Sequence, residues 1–134
     1  MLIYLASSFT MTEEVDWIAN LLEAHGHHVI VRWWERRFPK EKFALLDSRV
    51  FYDHPECEYI FTRDRKGVEE SDALIFVAEN RVRRYSGANI ELGIAIGKDI
   101  PCLSVGKLKR SILYFPVMRC DSIYEIIERL DLME

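Results

Sequence analysis

The residues best placed to do chemistry lie in Ser86-Gly-Ala-Asn-Ile-Glu-Leu-Gly-Ile-Ala-Ile-Gly97. Ser86 and Gly87 suit an N-cap, and Ile90, Ile94 and the small Ala95 can face a sheet, so the stretch reads as the start of a helix. A buried strand, Asp72-Ala-Leu-Ile-Phe-Val-Ala78, is expected just before it, with a basic loop between. Glu91 then falls in or near the first turn, at the C-terminal end of a central strand, where open α/β sheets bind ligands. A carboxylate there is either a partner of the helix dipole or a catalytic group able to attack and hold a substrate covalently.

The elements that position Glu91 alternate along the chain. Leu2 to Ala6 is a short apolar run, read as a first strand. Val15, Ile18, Leu21 and Leu22 repeat at helical spacing within Met11 to His25, with Gly26 as a stop. His28 to Trp33 is rich in β-branched and aromatic residues and reads as a second strand. Trp34 to Pro55 is irregular, with a short helix expected at Glu41 to Leu46; connections of this length are often functional. A helix is expected over Glu56 to Ser71, a strand over Ala73 to Ala78, a helix over Ser86 to Lys98, and a strand over Pro101 to Val105. Ile112 to Met118 is a candidate fifth strand and Ser122 to Leu132 a closing amphipathic helix. Such alternation predicts an α/β fold: a flavodoxin-like or Rossmann-like three-layer sandwich. Its parallel sheet would have about five strands in the order 2-1-3-4-5, with helices on both faces.

Composition sets the bounds. The 134 residues, 49% hydrophobic and 30% charged, fit one globular domain over 1–134. No apolar run reaches the roughly 20 residues needed to span a bilayer, and no basic leader precedes the first strand, so a cytoplasmic protein is expected. Cys57, Cys102 and Cys120 show no C-x-x-C spacing and read as reduced thiols. The net charge of −4 conceals basic clusters at Arg32 to Lys40, Arg63 to Lys66, Arg81 to Arg84 and Lys107 to Arg110. A basic edge on an acidic protein suits a small anionic ligand such as a phosphate. The net charge and the lack of a continuous basic stripe argue against a nucleic-acid partner.

In this topology Tyr4 of the first strand, Asp64 of the helix before the third strand, and Glu91 converge. Three pieces carry the pattern: Ile3-Tyr-Leu-Ala-Ser-Ser-Phe9, Asp64-Arg-Lys-Gly-Val-Glu-Glu-Ser-Asp72 and Ser86-Gly-Ala-Asn-Ile-Glu-Leu-Gly93. In these the chain resembles the nucleoside 2-deoxyribosyltransferase superfamily, including the deoxynucleoside 5′-monophosphate N-glycosidases. The resemblance runs through most of the chain in order. It implies that Glu91 attacks the anomeric carbon of a nucleoside and forms a covalent glycosyl-enzyme, by the logic of retaining glycoside hydrolysis. Asp64 would handle the proton at the departing base or orient the nucleophile, and the Tyr4 hydroxyl would hold the carboxylate in place. The substrate-binding residues would be Ser7, Ser8 and Phe9 of the first loop, Trp33, and Ser86, Gly87 and Asn89. No cofactor or metal is required, and the substrate is a small-molecule nucleoside or nucleotide.

Departures from the family bear on the substrate. The monophosphate hydrolases carry a basic residue soon after the first strand, whereas Ser7-Ser-Phe-Thr10 has none. Arg81, Arg83 and Arg84 could instead supply phosphate contacts. The C-terminal portion lacks the family's Asn-containing tail, which favours a hydrolase over a transferase. Trp33 and Trp34 follow strand two, and strand alternation lets only one of them face the cleft, where an indole can stack on a base. Trp34, Phe38, Phe51 and Tyr52 could form a contact between copies, since the resemblance implies a homodimer or higher homo-oligomer. Asp72 reads as structural, and the glycines at 93 and 97 as permitting close packing. The competing reading is a non-catalytic nucleotide-sensing module on the same fold, with Glu91 only a cap.

Overall fold

The structure, a computed structural model, describes residues 1–35, 52–78 and 86–134. Strands β1 (Leu2–Ala6), β2 (His28–Val29), β3 (Ala73–Val77), β4 (Cys102–Val105) and β5 (Met118–Cys120) form one parallel sheet in the order β2-β1-β3-β4-β5. The helices are α1 (Thr12–Ala24), α2 (Pro55–Glu70), α3 (Ser86–Gly97) and α4 (Ile123–Met133), with short 3-10 turns at Phe9–Met11, Trp33–Glu35 and Ile112–Tyr114. The expected flavodoxin-like order is therefore the observed one. From β1 the chain steps outward to β2 in one direction and returns to β3 in the other. Right-handed crossovers then place α1 on one face and α2 and α3 on the opposite face.

The centre of the sheet is continuous apolar surface. All five residues of β3 are buried, as suits a strand covered on both faces. Tyr4, Phe76, Leu74, Ile75 and Leu103 are among the largest fully buried side chains. Each apolar one contributes roughly 1.5–3 kcal/mol. Asp72, expected to be structural, accepts the Leu2 N–H on its Oδ2 at 2.7 Å and so fixes the start of β1 beside the start of β3.

Three expectations change. Strand two ends at Val29 rather than Trp33, because Val31 takes a left-handed backbone (φ 56°) and a 3-10 turn follows. The fifth strand is Met118–Cys120, not Ile112 to Met118. Ile112–Tyr114 is a 3-10 turn, and Pro116, lacking an N–H, suits a turn rather than a ladder. Gly93 and Gly97 do not serve close packing among the described residues, since a Cβ at either would meet none of them within 4 Å. The glycine that does serve it is Gly67 in α2, where a Cβ would lie 2.6 Å from Val31 Cγ2 and 3.3 Å from Tyr4 Cε2. The expected helix at Glu41 to Leu46, the contact residues Phe38 and Phe51, and the Arg81 to Arg84 cluster lie outside the described residues.

Candidate active site

Tyr4 sits in the middle of β1, and strand alternation sends it to the α2 side, where it meets Gly67. Because Gly67 has no side chain, α2 settles low on β1. That brings Asp64, one turn earlier in α2, toward the tyrosine. Helix α3 begins at Ser86 and packs against α2, β1 and β3. Glu91 is thus in the second turn rather than the first, and no acidic residue occupies the first turn. The helix-dipole attraction fades beyond the first turn, so capping alone is a weak reason for a carboxylate here.

Tyr4 is wholly buried, the Asp64 side chain is about three-quarters buried, and Glu91 is partly buried. The Tyr4 hydroxyl and Glu91 Oε2 are both enclosed with no hydrogen-bond partner among the described residues. Orphaned buried polar atoms are costly and uncommon, and two in one cluster ask for a functional reason. Burial pushes the Glu91 carboxyl up to about 8. The Asp64 charge adds to that rise, while the Tyr4 hydroxyl and Arg63 oppose it. The hydroxyl and carboxylate therefore act on each other without meeting full hydrogen-bond geometry, a contact of the kind that tightens around a bound substrate. Burial likewise raises Asp64, against the pull of Arg63. Burial also keeps the Tyr4 hydroxyl protonated, helped by the charges on Glu91 and Asp64. Burial and the Asp64 charge together thus favour the protonated form of Glu91 in this partly dry site.

The other expected residues are distributed unevenly. Ser7 is buried, and its hydroxyl donates to the Val77 carbonyl at 2.7 Å, tying the end of β1 to β3. Ser8 caps the Phe9–Met11 turn, accepting from the Thr10 N–H at 3.3 Å. Phe9 is 52% exposed and meets the edge of Trp33 at 5.4 Å. Trp33 is only 6% exposed and donates its indole N–H to the Leu5 carbonyl at 2.7 Å. Trp34 bonds Asp16 at 2.9 Å and lies under the Arg32 guanidinium. Ser86 opens α3, and a Cβ at Gly87 would lie 3.9 Å from Glu91 Oε1. Asn89 is exposed and accepts from the Tyr114 hydroxyl at 2.9 Å, which links α3 to the β4–β5 connection.

The basic edge is less free than the sequence suggests. Arg32 pairs with Asp16, Glu23 and Glu35; Arg65 pairs with Glu69 and Lys66 with Glu70. The reading of the sequence missed Gly67, Tyr114 and Arg63. A lone glycine inside a helical run was a signal for the first. No group of three or more His, Cys, Asp or Glu side chains among the described residues could hold a metal ion. No helix among them is long and apolar enough to cross a membrane.

No protein-family model matches the sequence, and no curated protein matches it. Solved structures do. The chain is similar to a 2-deoxyribosyltransferase from Bacillus psychrosaccharolyticus, with a TM-score of 0.65 and 15% identity over 95% of this chain and 90% of that one. It is also similar to the Clostridium botulinum CMP N-glycosidase BcmB, with a TM-score of 0.60 and 15% identity over 98% of this chain and 99% of that one. The shared property at this identity is the fold, over nearly the whole of each chain.

Proposed function

We propose that this chain cleaves the N-glycosidic bond of a (deoxy)nucleoside or its 5′-monophosphate through a covalent glycosyl-enzyme on Glu91. The sugar then passes to water or to another base. The observation that carries the reading is the enclosed cluster of Tyr4, Asp64 and Glu91, with two buried polar atoms lacking partners among the described residues. The fold, held in common with a 2-deoxyribosyltransferase and a CMP N-glycosidase, supports it.

In the first step the Glu91 carboxylate forms a bond to the anomeric carbon as the bond from that carbon to the base breaks. The bonding pair leaves with the base nitrogen, which takes the proton held by Asp64. In the second step water, or the nitrogen of an acceptor base, attacks the same carbon and gives up a proton to Asp64. Glu91 is then released as a carboxylate. Before the first step Glu91 must be ionised and Asp64 must hold a proton. The Tyr4 hydroxyl favours that arrangement, because it stabilises ionised Glu91. Phe9 offers a face for the base, and Asn89 and the Gly87 backbone border the sugar side.

A homo-oligomer completes the proposal. Ile112, Leu113 and Phe115 are 90%, 74% and 86% exposed on one turn beside α3, more apolar surface than single scattered residues would leave open. Tyr52 is also exposed. Sedimentation of the wild type against a Phe115→Ser variant tests this part.

The primary test incubates the protein with deoxynucleosides, ribonucleosides and their 5′-monophosphates, with and without a free base, and follows base release by chromatography. Release without acceptor identifies a hydrolase, and exchange only with acceptor a transferase. Glu91→Ala should lose at least about a thousand-fold in turnover. A 2′-fluoro substrate analogue should leave its sugar mass on the peptide holding Glu91. Binding without turnover, equal in wild type and Glu91→Ala, would leave a nucleotide-binding module instead.

A further inference from the structure

Arg63 has an unusual partner for a helical residue. On a helix the reachable positions are three and four residues away, and for Arg63 these are Tyr59, Ile60, Lys66 and Gly67, none of them acidic. Its neighbours Arg65 and Lys66 form ordinary pairs four residues on. Arg63 instead turns onto the adjacent Asp64, donating from Nε at 3.0 Å and Nη2 at 2.9 Å. Both bonds fall on Oδ1, so Oδ2 takes neither. Both side chains are about three-quarters buried, which screens the pair less than a surface ion pair.

We infer that Arg63 is a positioning residue: it fixes Asp64 through one oxygen, leaves the other free of that contact, and so orients Asp64 within the cluster it forms with Tyr4 and Glu91. The inference rests on the proposed reaction for its consequence but not for its geometry. Among the described residues, the groups that act on Glu91 are Tyr4 from β1 and Asp64 and Arg63 from α2. β3 has no ionisable side chain, and β4 contributes only Cys102. Arg63 draws Tyr4, Asp64 and Glu91 all toward their ionised forms, so it opposes the burial that raises both carboxyl groups.

The test compares wild type with Arg63→Gln, Arg63→Lys and, as a surface control, Arg65→Gln. Two readouts are used: the pH profile of kcat/KM for base release, and the titration of 13C-labelled carboxyl groups followed by NMR in the unliganded protein. Arg63→Gln should move the Glu91 titration and the alkaline limb of the profile upward by about one pH unit and lower kcat at least about tenfold. Arg63→Lys should keep the titration near that of wild type but recover only part of kcat, because an ammonium cannot make the two-pronged contact. Arg65→Gln should change neither. A Glu91 titration in Arg63→Gln that matches wild type would overturn the inference. So would an Arg63→Lys variant fully wild type in kcat, which also decides the matter should the Gln variant not fold. Absence of base release by the wild type would defeat the functional reading alone, and the carboxyl titration would still judge Arg63.

Discussion

Gly67 presents bare backbone to Tyr4: a Cβ there would stand 3.3 Å from the tyrosine Cε2 and 2.6 Å from Val31 Cγ2. Alanine in a helix interior is ordinarily more favourable than glycine by about 1 kcal/mol. At this position the added methyl must push Val31 or lift α2, and overpacking costs about 1–3 kcal/mol. Gly67→Ala should therefore lower stability to thermal unfolding and also reduce activity, since the same shift carries Asp64 away from Tyr4. Gly93→Ala, with none of the described residues within 4 Å, should instead raise stability by about 0.5–1 kcal/mol. Equal effects of the two substitutions would contradict the packing account.

The proposed reaction needs one proton in the Asp64–Glu91 pair: with two there is no nucleophile, and with none there is no acid for the base. Glu91 is pushed up to about 8, so the last proton leaves the pair near there. The expected profile of kcat/KM is a bell whose alkaline limb falls through about pH 8, the apparent values belonging to the pair rather than to either residue. Rates of base release measured from pH 4 to 10 check this. A profile still rising beyond pH 9 would mean that only an ionised Glu91 matters.

How much of this was legible in the sequence depended on the range of the interactions. Strand order followed from buried apolar runs alternating with 3.6-periodic segments, and Tyr4, Asp64 and Glu91 each sit on the element expected for them. Strand two was read too long because Ile30, Val31 and Arg32 look extended, whereas Val31 takes a left-handed backbone and lays its side chain against Gly67 of α2. Ile112 to Met118 looked like a strand because apolar residues usually seek the interior, yet Ile112, Leu113 and Phe115 face outward. Trp33 looked like a stacking surface, but it is only 6% exposed, and its N–H donates to the Leu5 carbonyl. Propensity describes a residue's own preference, and these are cases where a distant neighbour decides.

Glu91 also links activity to stability. Its carboxyl is near 4.5 when unfolded and is pushed up to about 8 in the fold, so between those values the native state binds more protons than the unfolded chain. Stability arising from this group is therefore full below pH 4.5 and is lost as pH rises toward 8. The half-buried position reduces the effect below the full 1.36 kcal/mol per unit, to about 2 kcal/mol in total. Glu91→Gln has no such titration. Denaturant midpoints at pH 5 and pH 8 should fall with pH more steeply in wild type than in Glu91→Gln, while the variant is inactive. Parallel pH dependence would show that Glu91 is better solvated than its surroundings suggest.

Tyr4→Phe separates the hydroxyl from the ring. The ring fills the space above Gly67 and remains, while an enclosed hydroxyl lacking a partner among the described residues is removed. Stability should hold or rise by up to about 1 kcal/mol. The hydroxyl lowers the Glu91 pKa, so its loss should move the alkaline limb further upward and reduce kcat about tenfold. A stable variant with unchanged kinetics would remove Tyr4 from the chemistry and leave it a core residue.

Asp64→Asn tests who supplies the proton. The amide keeps the side chain's shape but cannot deliver a proton to a departing base. An ordinary nucleoside should therefore suffer about a hundredfold or more in kcat. A nucleoside carrying an N7-methylated purine already has a cationic base that leaves without protonation, so the same variant should cleave it at a rate close to wild type. The loss of the Asp64 charge also lets Glu91 ionise at lower pH, which adds to nucleophile at neutral pH and works in the same direction. A variant equally impaired on both substrates would assign Asp64 to holding Glu91 or the sugar rather than to proton transfer. The contrast between the two substrates reads the role directly, whatever the effect on folding.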